Sequence, residues 1–202
     1  MKHAPLLLCA ILVCMSGCAI TRNDYTPVTY YDLHLPAVKE LARAGPAVPV
    51  HIHVAGFSMA GPSVTHFLYR KEGNRVAKAE YHRWIDPPDI LVQRYLFQSF
   101  VRSEKLRSVS LNSGSNPDLI VEGDILRLDC TAAVKARVAM VVRWLDAETG
   151  TIRMTRRYHR EVPLESNSHT AYARATEQAL KGITLNVLQE TISITAKAVA
   201  ED

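Results

Sequence analysis

The chain has 202 residues and a formal net charge of +4, with 48% hydrophobic and 22% charged residues. That composition excludes a disordered polar chain, and the length suits one domain with a sizeable core. The positive excess is small and spread out, so nucleic acid is not expected as a partner.

Read from the start, Lys2 and His3 precede an apolar run from Leu6 to Val13. Such a run suits a secretory h-region and falls short of the ~20 apolar residues that span a bilayer. It ends in Met15-Ser16-Gly17-Cys18, where small residues admit a peptidase beside the cysteine. The pattern resembles a bacterial lipobox, with Met15 standing where Leu is usual. Residues 1–17 are therefore read as a lipoprotein signal peptide, Cys18 as the acylated residue (palmitate among its lipids), and 18–28 as a polar tether. An ordinary secretory signal that happens to contain a cysteine is the bland alternative. Acylation anchors because each buried methylene contributes ~0.8 kcal/mol, so two or more chains hold where one only binds reversibly. Ala19 follows, with no Asp to signal inner-membrane retention, so the inner leaflet of the outer membrane, facing the periplasm, is the expected location. Of four cysteines, Cys9 and Cys14 leave with the signal, so Cys130 remains as the one thiol, read as a buried small hydrophobe.

The domain is expected over 29–202. Tyr30 to Leu35 reads as a short strand stopped by Pro36, and 36–47 as a linker with room for a helical turn. Val48, Val50, Ile52 and Val54 alternate with His51 and His53, the period of a half-buried strand, broken by Gly56 and Gly61-Pro62. Phe67 to Arg70 and the run from Arg75 to Trp84 flank Lys71-Glu72-Gly73-Asn74, which reads as a hairpin. Asp86 before Pro87-Pro88 is a candidate N-cap for a helix running to about Glu104. Ser113 to Pro117 is a loop. Residues 118–129, 134–145 and 152–162 alternate as three strands of an antiparallel meander, with Gly123 read as a bulge. Ser168 to Lys197 is helical, with Ala171, Ala175, Ala179, Ile183, Val187 and Ile194 on one stripe and Gly182 as a weak point. The order predicts an α/β single domain: a mixed, largely antiparallel sheet packed with two major helices.

No catalytic set emerges. A G-x-S-x-G elbow, an H-E-x-x-H and a C-x-x-C are all absent. His51 and His53 have a spacing that can chelate, yet a polar strand face is the better reading. Arg153, Arg156, Arg157 and Arg160 read as one solvated strand face. No metal, no cofactor and no enzymatic activity are expected. Tyr81-His82-Arg83-Trp84 is the one candidate contact motif: Tyr81 and Trp84 carry large apolar bodies with polar tips, and Arg83 can stack on an aromatic face. Core packing is the competing explanation for Tyr81 and Trp84.

With these pieces in order, the chain resembles the ABC-type transport auxiliary lipoproteins, the group including PqiC-like proteins. The resemblance rests on the lipobox, Tyr30-Tyr31-Asp32-Leu33, Phe67-Leu68-Tyr69-Arg70, Tyr81-His82-Arg83-Trp84 before Pro87-Pro88, Asp118-Leu119-Ile120-Val121-Glu122-Gly123 and the Ala-rich last helix. It implies a non-catalytic periplasmic subunit of an envelope lipid-transport system that supports membrane integrity. The implied partners are an MCE-domain transport protein, its inner-membrane or ABC transporter components, and the membrane through the lipid anchor. A homo-oligomer is left open. The alternative is a lipoprotein cofactor assisting cell-wall synthases or outer-membrane assembly.

Overall fold

β-branched and aromatic residues at alternate positions, interrupted by two long helical patterns, build one sheet with a single covered face. The computed structural model describes residues 25–201 apart from 74, 113, 115, 132 and 133. The expected signal segment 1–17, the expected lipidation residue Cys18 and the expected tether up to residue 24 lie outside the described residues, as do Asn74 of the hairpin and positions 113 and 115 of the expected loop.

The strands are β1 (Thr29–Tyr31), β2 (Val48–Met59), β3 (His66–Arg70), β4 (Val76–Trp84), β5 (Leu106–Ser110), β6 (Leu119–Thr131), β7 (Lys135–Asp146) and β8 (Ile152–Pro163). The helices are α1 (Val38–Leu41, continued by a 3-10 turn at Ala42–Ala44), α2 (Pro88–Ser103) and α3 (His169–Glu201). β6 organises the sheet. Its first half pairs in parallel with β2 and its last residues with β3, while β7 runs antiparallel along its whole other side. β8 extends the meander beyond β7, β5 lies outside β2, and β4 and β1 lie outside β3. The sheet is mixed, as expected. The long β6–β7–β8 ladders and the β3–β4 hairpin are antiparallel, and the four remaining ladders are parallel.

Helix α2 lies over β2 and β5, and α3 over β7 and β8, both on the same face. Between them and the sheet sits one core that includes Val54, Phe67, Trp84, Leu96, Val121, Val142, Trp144, Tyr172 and Leu180. The indole N–H of buried Trp144 donates to Thr191 Oγ1 at 2.8 Å, which satisfies the one polar atom of that side chain. Ser168 caps α3: the Ala171 N–H donates to Ser168 Oγ at 3.1 Å. Its expected stripe is buried except at Ile194, which is partly covered.

Several boundaries differ from expectation. The first strand ends at Tyr31, because the Asp32 carboxylate accepts from the Leu33 N–H at 2.8 Å and turns the chain. β2 runs past Gly56 to Met59, absorbing the glycine in an irregularity between Val54 and Phe57. The helix cap is Pro87 rather than Asp86, whose carboxylate pairs with Arg94 at 2.6 Å. Gly123 is not a bulge; the irregularity falls between Ile125 and Arg127. A Cβ at 123 would lie 2.4 Å from the Val141 carbonyl oxygen and 2.7 Å from the Phe57 ring, so close packing explains this glycine. β5 has no counterpart among the predicted elements.

Candidate docking surface

The sheet face away from the helices is lined by side chains from β2, β3, β6, β7 and β8, and its charges are paired across strands. In β7 the alternate positions separate: Ala136, Val138, Met140, Val142 and Trp144 enter the core, so Arg137 and Arg143 point the other way. Arg143 donates to Glu122 Oε1 at 2.9 Å and to Asp124 Oδ2 at 2.7 Å, and Ser58 donates to Asp124 Oδ1 at 2.5 Å. The Arg143 and Ser58 hydrogen bonds hold the Asp124 carboxyl below its ordinary range, and Asp124 and Glu122 push the Arg143 guanidinium up. Further along, buried Asp129 accepts from Arg70 Nε at 3.1 Å and from Arg137 Nε at 2.9 Å. Arg137 Nη2 also lies 2.8 Å from Asp129, close enough for charge attraction but not aligned for a hydrogen bond. Beside these pairs, Arg127 and Arg157 are exposed on the same face, opposite Ala139 and Val141. The result is a broad polar platform whose central side chains are fixed. Fixed, complementary charges on a wide surface favour docking by setting register.

The four basic residues of β8 do not form one face. Register places Arg156 and Arg160 on the helix side, opposite Val142 and Val138, and Arg157 on the open side, opposite Val141. Arg156 approaches Glu190 at 3.8 Å, and Arg160 lies over Gly182 of α3. A strand with covered neighbours on one side only cannot keep such a cluster together, because successive side chains alternate.

Tyr81-His82-Arg83-Trp84 splits by the same alternation. Trp84 is 1% exposed, with its ring centroid 4.5 Å from Phe67 and 5.9 Å from Tyr172. His82 also turns inward and stacks on His169, with centroids 3.5 Å apart and planes 9° from parallel. His82 Nδ1 lies 3.1 Å from Tyr31 Oη. Burial, then the neighbouring His82, lowers the His169 pKa from its ordinary value of 6.5. Tyr81 is exposed, and Arg83 sits opposite Tyr30 of β1. Trp84 is thus a core residue, while Tyr81 and Arg83 face outward.

Two of the clefts among the described residues lie against the sheet strands. One of about 920 Å³ is lined by His53, Arg107, Asp118, Asp146 and Arg153. Its charges are largely matched within it: Arg153 pairs with Asp146, and Arg107 lies 3.4 Å from Asp118. His51 and His53 do not act together. His51 Nε2 is 3.1 Å from Ser110 Oγ, whereas His53 is buried with Nδ1 lacking a partner among the described residues. The other, of about 350 Å³, lies between Met59, Val64, Leu68, Val76 and Leu126. Among the described residues, no three His, Cys, Asp or Glu side chains converge as a metal site. Cys130 is buried against the core.

The charge pairs of the open face were missed from sequence. The available signal was the opposite sign of residues at the same alternation phase: Glu122 and Asp124 on one strand, Arg137 and Arg143 on the next. Reading it required the register.

No described helix is long and apolar enough to cross a membrane. A family model described as the ABC-type transport auxiliary lipoprotein component matches residues 38–187. That span contains Phe67 to Arg70, Tyr81 to Trp84 and Asp118 to Gly123, and begins after Tyr30-Tyr31. A crystal structure of a Xanthomonas campestris protein is similar in fold, with a TM-score of 0.72 at 20% identity, covering 86% of this chain and 100% of that one. A solved structure of an uncharacterized protein is similar with a TM-score of 0.67 at 12% identity, covering 82% and 99%. No curated protein matches the sequence. With the family model covering most of its length, the chain belongs to the ABC-type transport auxiliary lipoprotein component family.

Proposed function

We infer that the protein is a non-catalytic, lipid-anchored periplasmic subunit of an MCE/ABC-type envelope lipid-transport system. It docks the transport complex at the inner leaflet of the outer membrane. Acyl chains on Cys18 provide attachment, the segment before β1 gives reach, and the domain supplies the protein contacts. The observation that carries this reading is the uncovered face of the sheet, with its centre cross-linked by Asp129, Arg70, Arg137, Arg143, Glu122 and Asp124. Side chains already fixed lose little rotamer freedom on association, so such a face suits a standing protein–protein contact. Family membership supports service to an ABC-type transport system.

The test is affinity purification of the chromosomally tagged protein from mildly solubilised membranes. An MCE-domain protein should co-purify with it. Arg127→Glu and Arg157→Glu, which change exposed charges without touching the paired network, should together weaken that association while leaving thermal unfolding unchanged. Failure to recover an MCE partner, together with unaltered outer-membrane permeability on deletion, would refute this reading.

A further inference from the structure

The exposed aromatic side chains gather where the chain enters the fold. The protein has eight tyrosines, four phenylalanines and two tryptophans. Among the described residues, the exposed ones are Tyr25, Tyr30 and Tyr81, at 84%, 58% and 38%. β1 sets Tyr30 opposite Arg83, so the two share one side of the sheet edge, and exposed Tyr81 lies two positions before Arg83, in the stretch of β4 where its register with β3 shifts. Ile85, 50% exposed, is held at the same corner because its N–H donates to the Tyr31 carbonyl oxygen at 2.9 Å. Tyr25 lies just ahead of β1. Other exposed apolar residues, such as Val101, Leu111, Val134 and Ile152, are single aliphatics elsewhere on the surface.

The length of chain before this corner identifies its occupant. Cys18 precedes Tyr25 by seven residues, a span of at most ~25 Å at ~3.6 Å per extended residue. On the lipid-anchor reading, this corner is therefore the part of the domain that acyl chains on Cys18 bring nearest to the bilayer. Tyrosine combines an apolar ring with a polar tip, the chemistry that collects at headgroup depth. The charges nearby are of both signs, with Arg83 and Lys78 against Glu80 and Asp32, so apolar and aromatic contact rather than anionic lipid would drive the seating.

The geometry points to a bilayer-contact patch formed by Tyr25, Tyr30, Tyr81 and Ile85, seating the β1 edge in the headgroup layer and orienting the domain on its membrane. It leaves β7 and β8, at the other side of the sheet, free for a protein partner. This proposal rests on Cys18 being acylated.

The experiment uses the mature lipidated chain, purified from membranes and reconstituted into phosphatidylcholine vesicles. A nitroxide is placed at position 81 by Tyr81→Cys, or at the distant control position by Ile152→Cys; Cys130 is buried and stays unlabelled. Collision with a water-soluble nickel chelate should be several-fold lower at 81 than at 152. Adding Tyr30→Ser and Ile85→Ser should bring the two values together. Equal accessibility at 81 and 152, with vesicle flotation and an acylated intact mass, would overturn the patch and leave the anchor standing. A bare intact mass without flotation would overturn the anchor and, with it, the patch.

Discussion

Asp129 shows how a single carboxylate can hold two strands to a third. It is 4% exposed and accepts from Arg70 on β3 and Arg137 on β7. Removing it leaves Arg137, itself nearly buried, without the carboxylate it pairs with, while Glu161 opposite it on β8 pairs with Lys135. Asp129→Ala is expected to cost about 3 kcal/mol in denaturant-induced unfolding, the scale for breaking one partner of a buried pair. Trp84 and Tyr81 separate the two sides of one motif. Trp84→Ala removes a fully buried indole and should cost about 3–5 kcal/mol, whereas Tyr81→Ser should change stability by no more than about 0.5 kcal/mol.

The stacked His82–His169 pair makes stability depend on pH. Burial lowers the folded pKa of His169 below its ordinary 6.5, and the parallel His82 ring adds to this. Between those two pKa values the unfolded chain binds more protons than the folded one. The contribution is therefore complete above the unfolded pKa and is lost as pH falls toward the folded one. Thermal unfolding should shift to lower temperature from pH 7.5 to 5.5, and His169→Phe should make that shift smaller. An unchanged pH slope in the variant would show that the stack is not its source.

Elements with strong alternation or strong helical period were legible. β6, β7 and α3 follow from their patterns because each buries a face or stripe, and β8 follows because Met154, Tyr158 and Val162, half-buried, pack against the core. β5 was not legible, because Leu106-Arg107-Ser108-Val109-Ser110 is short and polar and becomes a strand through parallel pairing with β2. That partner lies more than 50 positions back in the chain, and nothing local encodes it. The two informative glycines show the same limit. A Cβ at Gly123 would meet the Val141 carbonyl and the Phe57 ring, neither of which can yield, so Gly123→Ala should destabilise by about 2 kcal/mol or more. The three atoms nearest a Cβ at Gly182 all belong to the guanidinium end of Arg160, which can swing into solvent. Relief of the glycine penalty in a helix then dominates, and Gly182→Ala should raise stability by up to about 1 kcal/mol. Both contrasts can be read from paired urea titrations.

At the scale of the whole molecule, both main helices pack on one face of the sheet and leave the other as a polar platform. The candidate contact motif was legible as a cluster of large side chains, but its division into buried Trp84 and outward Tyr81 and Arg83 depends on strand direction. The platform itself depends on pairing across four strands and was not legible. The docking role supposes a domain that works beside a membrane, and Cys18 is the residue on which that supposition turns. Intact-mass spectrometry of the protein extracted from native membranes tests it most directly. The account predicts a chain beginning at Cys18 and heavier than its amino acids by a set of acyl and glyceryl groups. A species that begins elsewhere, or a bare Cys18, would contradict it.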